Sequence, residues 1–222
     1  ILNQISFDFE TGKNYCILGK NGSGKSSLAM TLAGNPKYEI SEGELLLDGQ
    51  NLTEMSPDER NKAGIFLTFQ NIPEVPGVKL FEFLKTIYDA RAEKPSTFLE
   101  FKKIIEPLMA ELEIEKAFLW RDLNVGFSGG EKRKIEVLQI KLLKPKYIIL
   151  DEIDSGLDVN AVRQVAELLK AVNTEENSFI VITHLFEMLQ ELPLEKILIL
   201  EQGKIKAIGG RELMDQVRKE GF

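Results

Sequence analysis

The 222-residue sequence contains one cysteine, Cys16, and one histidine, His184. A single thiol excludes an intramolecular disulfide framework, and one Cys with one His cannot supply the four ligands of an iron–sulfur cluster. Cys16 therefore reads as buried strand filler. No apolar run approaches the roughly 18 residues that a membrane span needs, and the first residues lack the charge pattern of a signal peptide. The expected location is the cytoplasm, or the stroma in a plastid-bearing organism, with no direct membrane insertion. Basic residues number 28 against 35 acidic ones, a net charge of -7. That balance argues against nucleic acid as the main partner, so any phosphate ligand must be held by local groups and not by a basic field. What is present is a chain that is 43% hydrophobic, long enough to bury a full core as one large domain or a domain with a subdomain.

The stretch Gly19-Lys20-Asn21-Gly22-Ser23-Gly24-Lys25-Ser26 follows the apolar run Tyr15-Cys16-Ile17-Leu18 and precedes a helical pattern in Leu28, Ala29, Leu32 and Ala33. Strand, glycine loop and helix form the context that a phosphate loop requires. Glycines let backbone N–H groups curl round the β- and γ-phosphates, and the helix N-terminus adds partial positive charge. Lys25 supplies a cation, and the Ser26 hydroxyl can ligate Mg²⁺. At the end of the apolar run Tyr147-Ile148-Ile149-Leu150 stand Asp151 and Glu152, where an α/β sheet places catalytic groups. In phosphate-loop ATPases the first such acid holds Mg²⁺ and the second can deprotonate the attacking water, so Asp151 is assigned to the metal and Glu152 as base. Ser128-Gly129-Gly130-Glu131 reads as a capping box. Two successive glycines at that helix start also leave backbone donors open to an anion. Lys132-Arg133-Lys134 reads as a solvated helix face.

Ile1 to Phe9 alternates apolar and polar residues, which predicts a half-buried strand, and Glu44 to Leu47 followed by Asp48-Gly49 predicts a strand and hairpin turn. Apolar residues at steps of three and four predict amphipathic helices over 80–90 and 98–112, the second kinked at Pro107. Tyr147–Leu150, Phe179–Thr183 and Ile197–Leu200 predict buried strands. A helix carrying Val162, Val165, Ala166, Leu169 and Val172 follows the first, and a Gln202-Gly203 turn follows the last. The fold class is α/β with a mostly parallel, doubly wound core sheet and an N-terminal antiparallel β portion. Residues 1–222 are read as one domain, with 1–77 and 124–222 as the nucleotide-binding core and 78–123 as a helical subdomain.

The phosphate loop, Gln70 at a strand end, Ser128-Gly129-Gly130, Ile148-Ile149-Leu150-Asp151-Glu152, Ser155-Gly156-Leu157-Asp158 and His184 after a strand occur in an order that resembles the nucleotide-binding domain of ABC ATPases. In that family two domains pair head to tail around two ATP molecules. The resemblance implies an ATP-dependent homodimer with ATP and Mg²⁺ as cofactors. Gly19, Lys20, Asn21, Gly22, Ser23, Gly24, Lys25, Ser26 and Ser27 would hold the nucleotide. Ser128, Gly129 and Gly130 would reach the γ-phosphate in trans, and Asp158 would cross the interface. Gln70 would sense Mg²⁺ and the lytic water, and His184 would bond the γ-phosphate beside the catalytic Glu152. The metal set is then Ser26, Gln70 and Asp151. The aromatic that stacks on adenine in such domains would precede Ile1.

The signature Phe127-Ser128-Gly129-Gly130-Glu131, with Gly156 in the acidic loop, resembles more narrowly the ATPases of the SUF iron–sulfur assembly system. So do Leu32 to Glu39, Ser56 to Arg60, Gly64 to Gln70, Glu74 to Val78 and Asn124 to Phe127, which lie outside the shared nucleotide chemistry. That resemblance implies SufB- and SufD-like scaffold proteins as partners and a mechanical role, in keeping with a chain too poor in thiols to carry a cluster. The alternative is the nucleotide-binding subunit of an ABC membrane transporter, which shares every nucleotide-contacting motif.

Overall fold

The computed structural model describes residues 1–154, 159–183 and 186–220. Contacts divide the chain into two compact units, each considered by itself. One comprises Ile1–Phe69, Pro145–Asp154 and Asn173–Phe222; the other comprises Gln70–Lys144 and the described part of Ser155–Val172.

In chain order the first unit opens with β1 (Tyr15–Leu18), α1 (Lys25–Leu32), β2 (Leu46–Leu47), β3 (Gln50–Asn51), α2 (Pro57–Ala63) and β4 (Ile65–Leu67). The second unit follows with β5 (Val75–Lys79), α3 (Leu80–Asp89), α4 (Phe98–Glu111), a 3-10 turn at Lys116–Trp120, β6 (Asp122–Leu123) and α5 (Gly129–Leu143). The chain returns to the first unit for β7 (Tyr147–Asp151) and then adds α6 (Val159–Val172) to the second. The first unit is completed by β8 (Ser178–Ile182), α7 (Phe186–Glu191), β9 (Lys196–Glu201), β10 (Lys204–Gly209) and α8 (Arg211–Glu220).

The six-stranded sheet has the order β10-β9-β1-β8-β7-β4. All neighbours are parallel except β10, which returns antiparallel beside β9. Continuous apolar runs suit strands covered on both faces, and β1, β8 and most of β7 are buried residue by residue. Ile17, Leu28, Ile65, Ile149, Ile180 and Leu200 meet in the core of this unit. The β2–β3 hairpin turns at Asp48 (φ 51) and Gly49 (φ 82), the two left-handed residues that a type I′ turn needs.

The expected strand over Ile1 to Phe9 is not a ladder strand. The alternation is nonetheless satisfied over Ile5 to Phe9, because Ile5 and Phe9 pack on the core, as Leu2 does out of phase, and Phe7 and Phe9 meet the Tyr15 ring edge-on. Period-two patterning reports one buried face, and it does not report a hydrogen-bonding neighbour. Pro107 lies inside α4 without ending it; its missing N–H leaves only the Lys103 carbonyl without an in-helix donor. In the second unit Phe81 is fully buried and packs against Phe101 and Trp120, while α6 lies against α5.

One buried cation fixes the far end of α1. Arg60, 4% exposed, donates to the carbonyl oxygens of Thr31 (2.5 Å), Leu32 (3.2 Å), Thr53 (2.7 Å) and Met55 (3.0 Å). Two of these are at the C-terminus of α1, where carbonyls lack helical partners and a positive charge is favoured. Arg60→Ala would remove one shared donor from four partly buried carbonyls, of which only that of Thr31 is seen to keep another, the Gly34 N–H. It is expected to lower unfolding free energy by about 2–4 kcal/mol, read as a reduced midpoint in urea with an unchanged slope.

Candidate functional site

The turn from β1 into α1 builds an anion cradle. Gly24 is the N-cap of α1 with φ 107, a backbone state that a side chain resists. At Gly19 a Cβ would overlap the Leu200 carbonyl oxygen, so the loop also needs glycine for close approach to β9. Lys25 is 5% exposed, and its Nζ folds back to donate to the carbonyls of Gly19 (2.8 Å) and Lys20 (3.1 Å). Burial pushes the Lys25 ammonium below its ordinary range, and the negative charges of Glu152 and Asp151 oppose that shift. The Ser23 hydroxyl is buried with no hydrogen-bond partner among the described residues, a polar atom left over where a ligand is expected.

The carboxylates arrive from β7. Asp151 is buried, and its backbone N–H donates to Thr68 Oγ1 (3.3 Å), while Thr68 donates to the Ile149 carbonyl (3.2 Å). Asp151 Oδ1 lies 3.4 Å from the Ser26 hydroxyl. Adjacent ligands of an octahedral magnesium ion stand about 3 Å apart, and that ion is held by one or two protein oxygens together with phosphate oxygens. Ser26 and Asp151 fit that role. Among the described residues no group of three or more His, Cys, Asp or Glu could hold a metal unaided. Glu152 follows at φ 48, a left-handed backbone held by its N–H donating to the Ile182 carbonyl (2.8 Å); such strain concentrates at functional sites.

In the second unit α5 starts as the sequence predicts. Ser128 Oγ accepts from the Glu131 N–H (3.3 Å), and the Glu131 carboxylate accepts from the Ser128 N–H (2.6 Å). Ser128 and Gly129 are exposed, and a Cβ built at Gly130 would meet nothing within 4 Å. The chain's own packing therefore does not require glycine at 130; close approach from outside would. The Ser128 backbone donor holds the Glu131 carboxyl below its ordinary value of 4.5. A lowered carboxylate stabilises the fold above that ordinary value, and the contribution is lost as pH falls through the folded value. Glu131→Gln is accordingly expected to lower stability by about 0.5–1 kcal/mol near neutrality, with the difference from wild type shrinking as pH falls below the ordinary carboxyl value in urea titrations.

Lys132-Arg133-Lys134 is not simply a solvated face. Arg133 is buried against Glu136 (2.6 Å) and also donates to the Gln70 carbonyl (3.3 Å), while Lys132 pairs with Glu74 (2.8 Å) and Lys134 with Glu113 (3.8 Å). Gln70 itself is exposed. Gly19 to Ser27, Asp151 and Glu152 thus belong to the first unit, while Gln70 and Ser128 to Gly130 belong to the second. Asp158 and His184 lie outside the described residues. Thr68, which seats the Asp151 backbone, went unmarked in the sequence; a threonine two residues before Gln70 was its only signal. Cys16 is fully buried with its thiol pushed up by burial, as a structural cysteine is.

A mostly parallel sheet with a phosphate loop after its central strand and paired acids at the end of β7 defines a phosphate-loop nucleoside triphosphatase. The family described as ABC transporter matches residues 2–155, and the chain belongs to it as an ABC ATPase. It is similar over its whole length to the probable ATP-dependent transporter SufC of Escherichia coli, at 38% identity over 226 residues and 91% of that protein. It is also similar to the probable ATP-dependent transporter ycf16 of Antithamnion sp., at 40% identity over 100% of this chain and 90% of that protein. A third relative, the chloroplastic ABC transporter I family member 6 of Arabidopsis thaliana, is 38% identical over 100% of this chain and 67% of that protein. Among solved structures, a dimeric ATP-binding cassette in a post-hydrolysis state with ADP and phosphate shares the fold. Its TM-score is 0.79 at 22% identity, covering 94% of this chain and 90% of that one. Among the described residues no helix is long and apolar enough to cross a membrane.

Proposed function

We propose that this ABC ATPase dimerises on ATP and drives conformational change in a scaffold of SufB- and SufD-like proteins during iron–sulfur cluster assembly. The observation that carries the reading is the similarity to SufC along the entire chain, including stretches with no part in nucleotide chemistry. The one buried thiol supports it, since a chain of this composition can move a cluster scaffold but cannot be one.

In the proposed cycle Lys25 and the loop N–H groups bind the β- and γ-phosphates. Ser26 and Asp151, with Gln70, would hold Mg²⁺, and the ion would supply positive charge against the phosphates. Glu152 takes the proton of the attacking water and Gln70 orients that water. The open helix start at Ser128 to Gly130 engages the γ-phosphate of the other protomer, Asp158 crosses the interface, and His184 bonds the γ-phosphate. Each protomer supplies half of each site, so ATP acts as the glue and hydrolysis as the release.

Affinity purification of the chain from its native cells tests the proposal: soluble, cysteine-bearing scaffolds are expected with it, and their addition should raise ATP turnover. The names of the relatives in algae and bacteria speak of ATP-dependent transporters, which keeps a second reading in view, that of an energising subunit of a membrane transporter. Recovery of an integral membrane permease and no scaffold would favour that reading and sink the first.

A further inference from the structure

The chain leaving β7 and the chain leaving β8 are tied together at their roots by a bond that the roles assigned above do not use. The two strands run parallel with Asp151 opposite Ile182. Glu152 then donates its N–H to the Ile182 carbonyl, and two residues later Asp154 Oδ2 accepts from Thr183 Oγ1 at 2.6 Å. Asp154 is 5% exposed and Thr183 is fully buried. The second carboxylate oxygen, Asp154 Oδ1, is buried without a hydrogen-bond partner among the described residues.

A buried carboxylate with one oxygen unsatisfied is an expensive means of holding a turn, which an apolar side chain could fill at less cost. Its position explains it better than packing does. Glu152 lies two residues before Asp154 on a left-handed backbone, and His184 directly follows Thr183. We propose that Asp154 and Thr183 form a positioning pair that sets the Glu152 carboxylate by reference to the end of β8. This rests on the reading of Glu152 as the general base. Neither Asp154 nor Thr183 touches substrate in the proposal; both act through Glu152.

The test is made on the full-length chain, with ATP turnover, affinity for a fluorescent ATP analogue and melting temperature measured together. Thr183→Val removes the donor with little change of shape and is expected to lower kcat about tenfold, the scale of a small misplacement of a reacting group, with nucleotide affinity unchanged. Thr183→Ser, which keeps the hydroxyl, should restore turnover. The double variant Asp154→Ala/Thr183→Val removes both polar groups, so its melting temperature should recover while its turnover stays low. Wild-type turnover per folded molecule in Thr183→Val and in the double variant, beside an inactive Glu152→Gln, would overturn the pair and leave the base assignment standing. Wild-type turnover in Glu152→Gln would instead overturn the base assignment and the pair with it.

Discussion

Glu152→Gln is expected to lower steady-state phosphate release by roughly 10²–10⁴-fold, the usual contribution of a positioned general base, while ATP affinity stays within about twofold of wild type. The two effects separate because the substitution keeps the size and hydrogen-bonding reach of the side chain and removes only its capacity to take a proton. The backbone at 152 is fixed from outside the side chain, by the bond from its N–H to the Ile182 carbonyl, so the amide should occupy the place of the carboxylate. ATP would then bind and persist. Sedimentation with ATP should show a dimer in this variant that wild type holds only transiently. Turnover at the wild-type rate would remove Glu152 from the chemistry.

Lys25→Met should separate binding from folding in the opposite sense. Loss of a charge-assisted hydrogen bond to phosphate costs about 1.5–3 kcal/mol, so ATP affinity should fall by roughly 10–100-fold, measured by titration calorimetry. The unliganded protein should melt within a few degrees of wild type. Lys25 is a buried cation whose ammonium is disfavoured by desolvation, and methionine replaces it with an apolar chain of similar length, a change that tends toward neutral or stabilising. Two carbonyls, those of Gly19 and Lys20, lose a donor in exchange, which keeps the net change small. Arginine should not rescue binding, because a planar guanidinium does not reproduce the compact ammonium that bonds the Gly19 and Lys20 carbonyls. A large loss of melting temperature with intact ATP affinity would show that Lys25 serves the loop's own structure and not the nucleotide.

The parts of the site that the sequence makes legible are those in which neighbours along the chain are also neighbours in space. The phosphate loop, the acids ending β7 and the capping box of α5 each occupy fewer than about ten consecutive residues, and their chemistry follows from spacing alone. The Asp48-Gly49 hairpin and the buried runs of β1, β7, β8 and β9 were readable for the same reason. What escaped depends on partners far apart. Thr68 supports Asp151 across 83 residues, Arg60 caps α1 from 29 residues beyond Thr31, and Thr183 reaches Asp154 across 29. No periodicity encodes such pairs. The segment Ile1 to Phe9 shows the complementary error, in which a correct reading of burial was extended to a ladder that does not form. Strand β10 and helix α8 were missed because the half-exposed alternation of the first and the polar composition of the second are weak signals beside a buried core.

The strand order bears on how the molecule comes into being. The central strand that feeds the phosphate loop, Tyr15–Leu18, is flanked by Ser178–Ile182 and Lys196–Glu201, so both of its edges stay bare during synthesis until segments more than 150 residues further on have left the ribosome. Pairings this distant in sequence are slow to form, and unpaired apolar edges invite aggregation meanwhile. The sheet that supports the phosphate loop is therefore expected to close late, once residues 178–201 are available to pair with it.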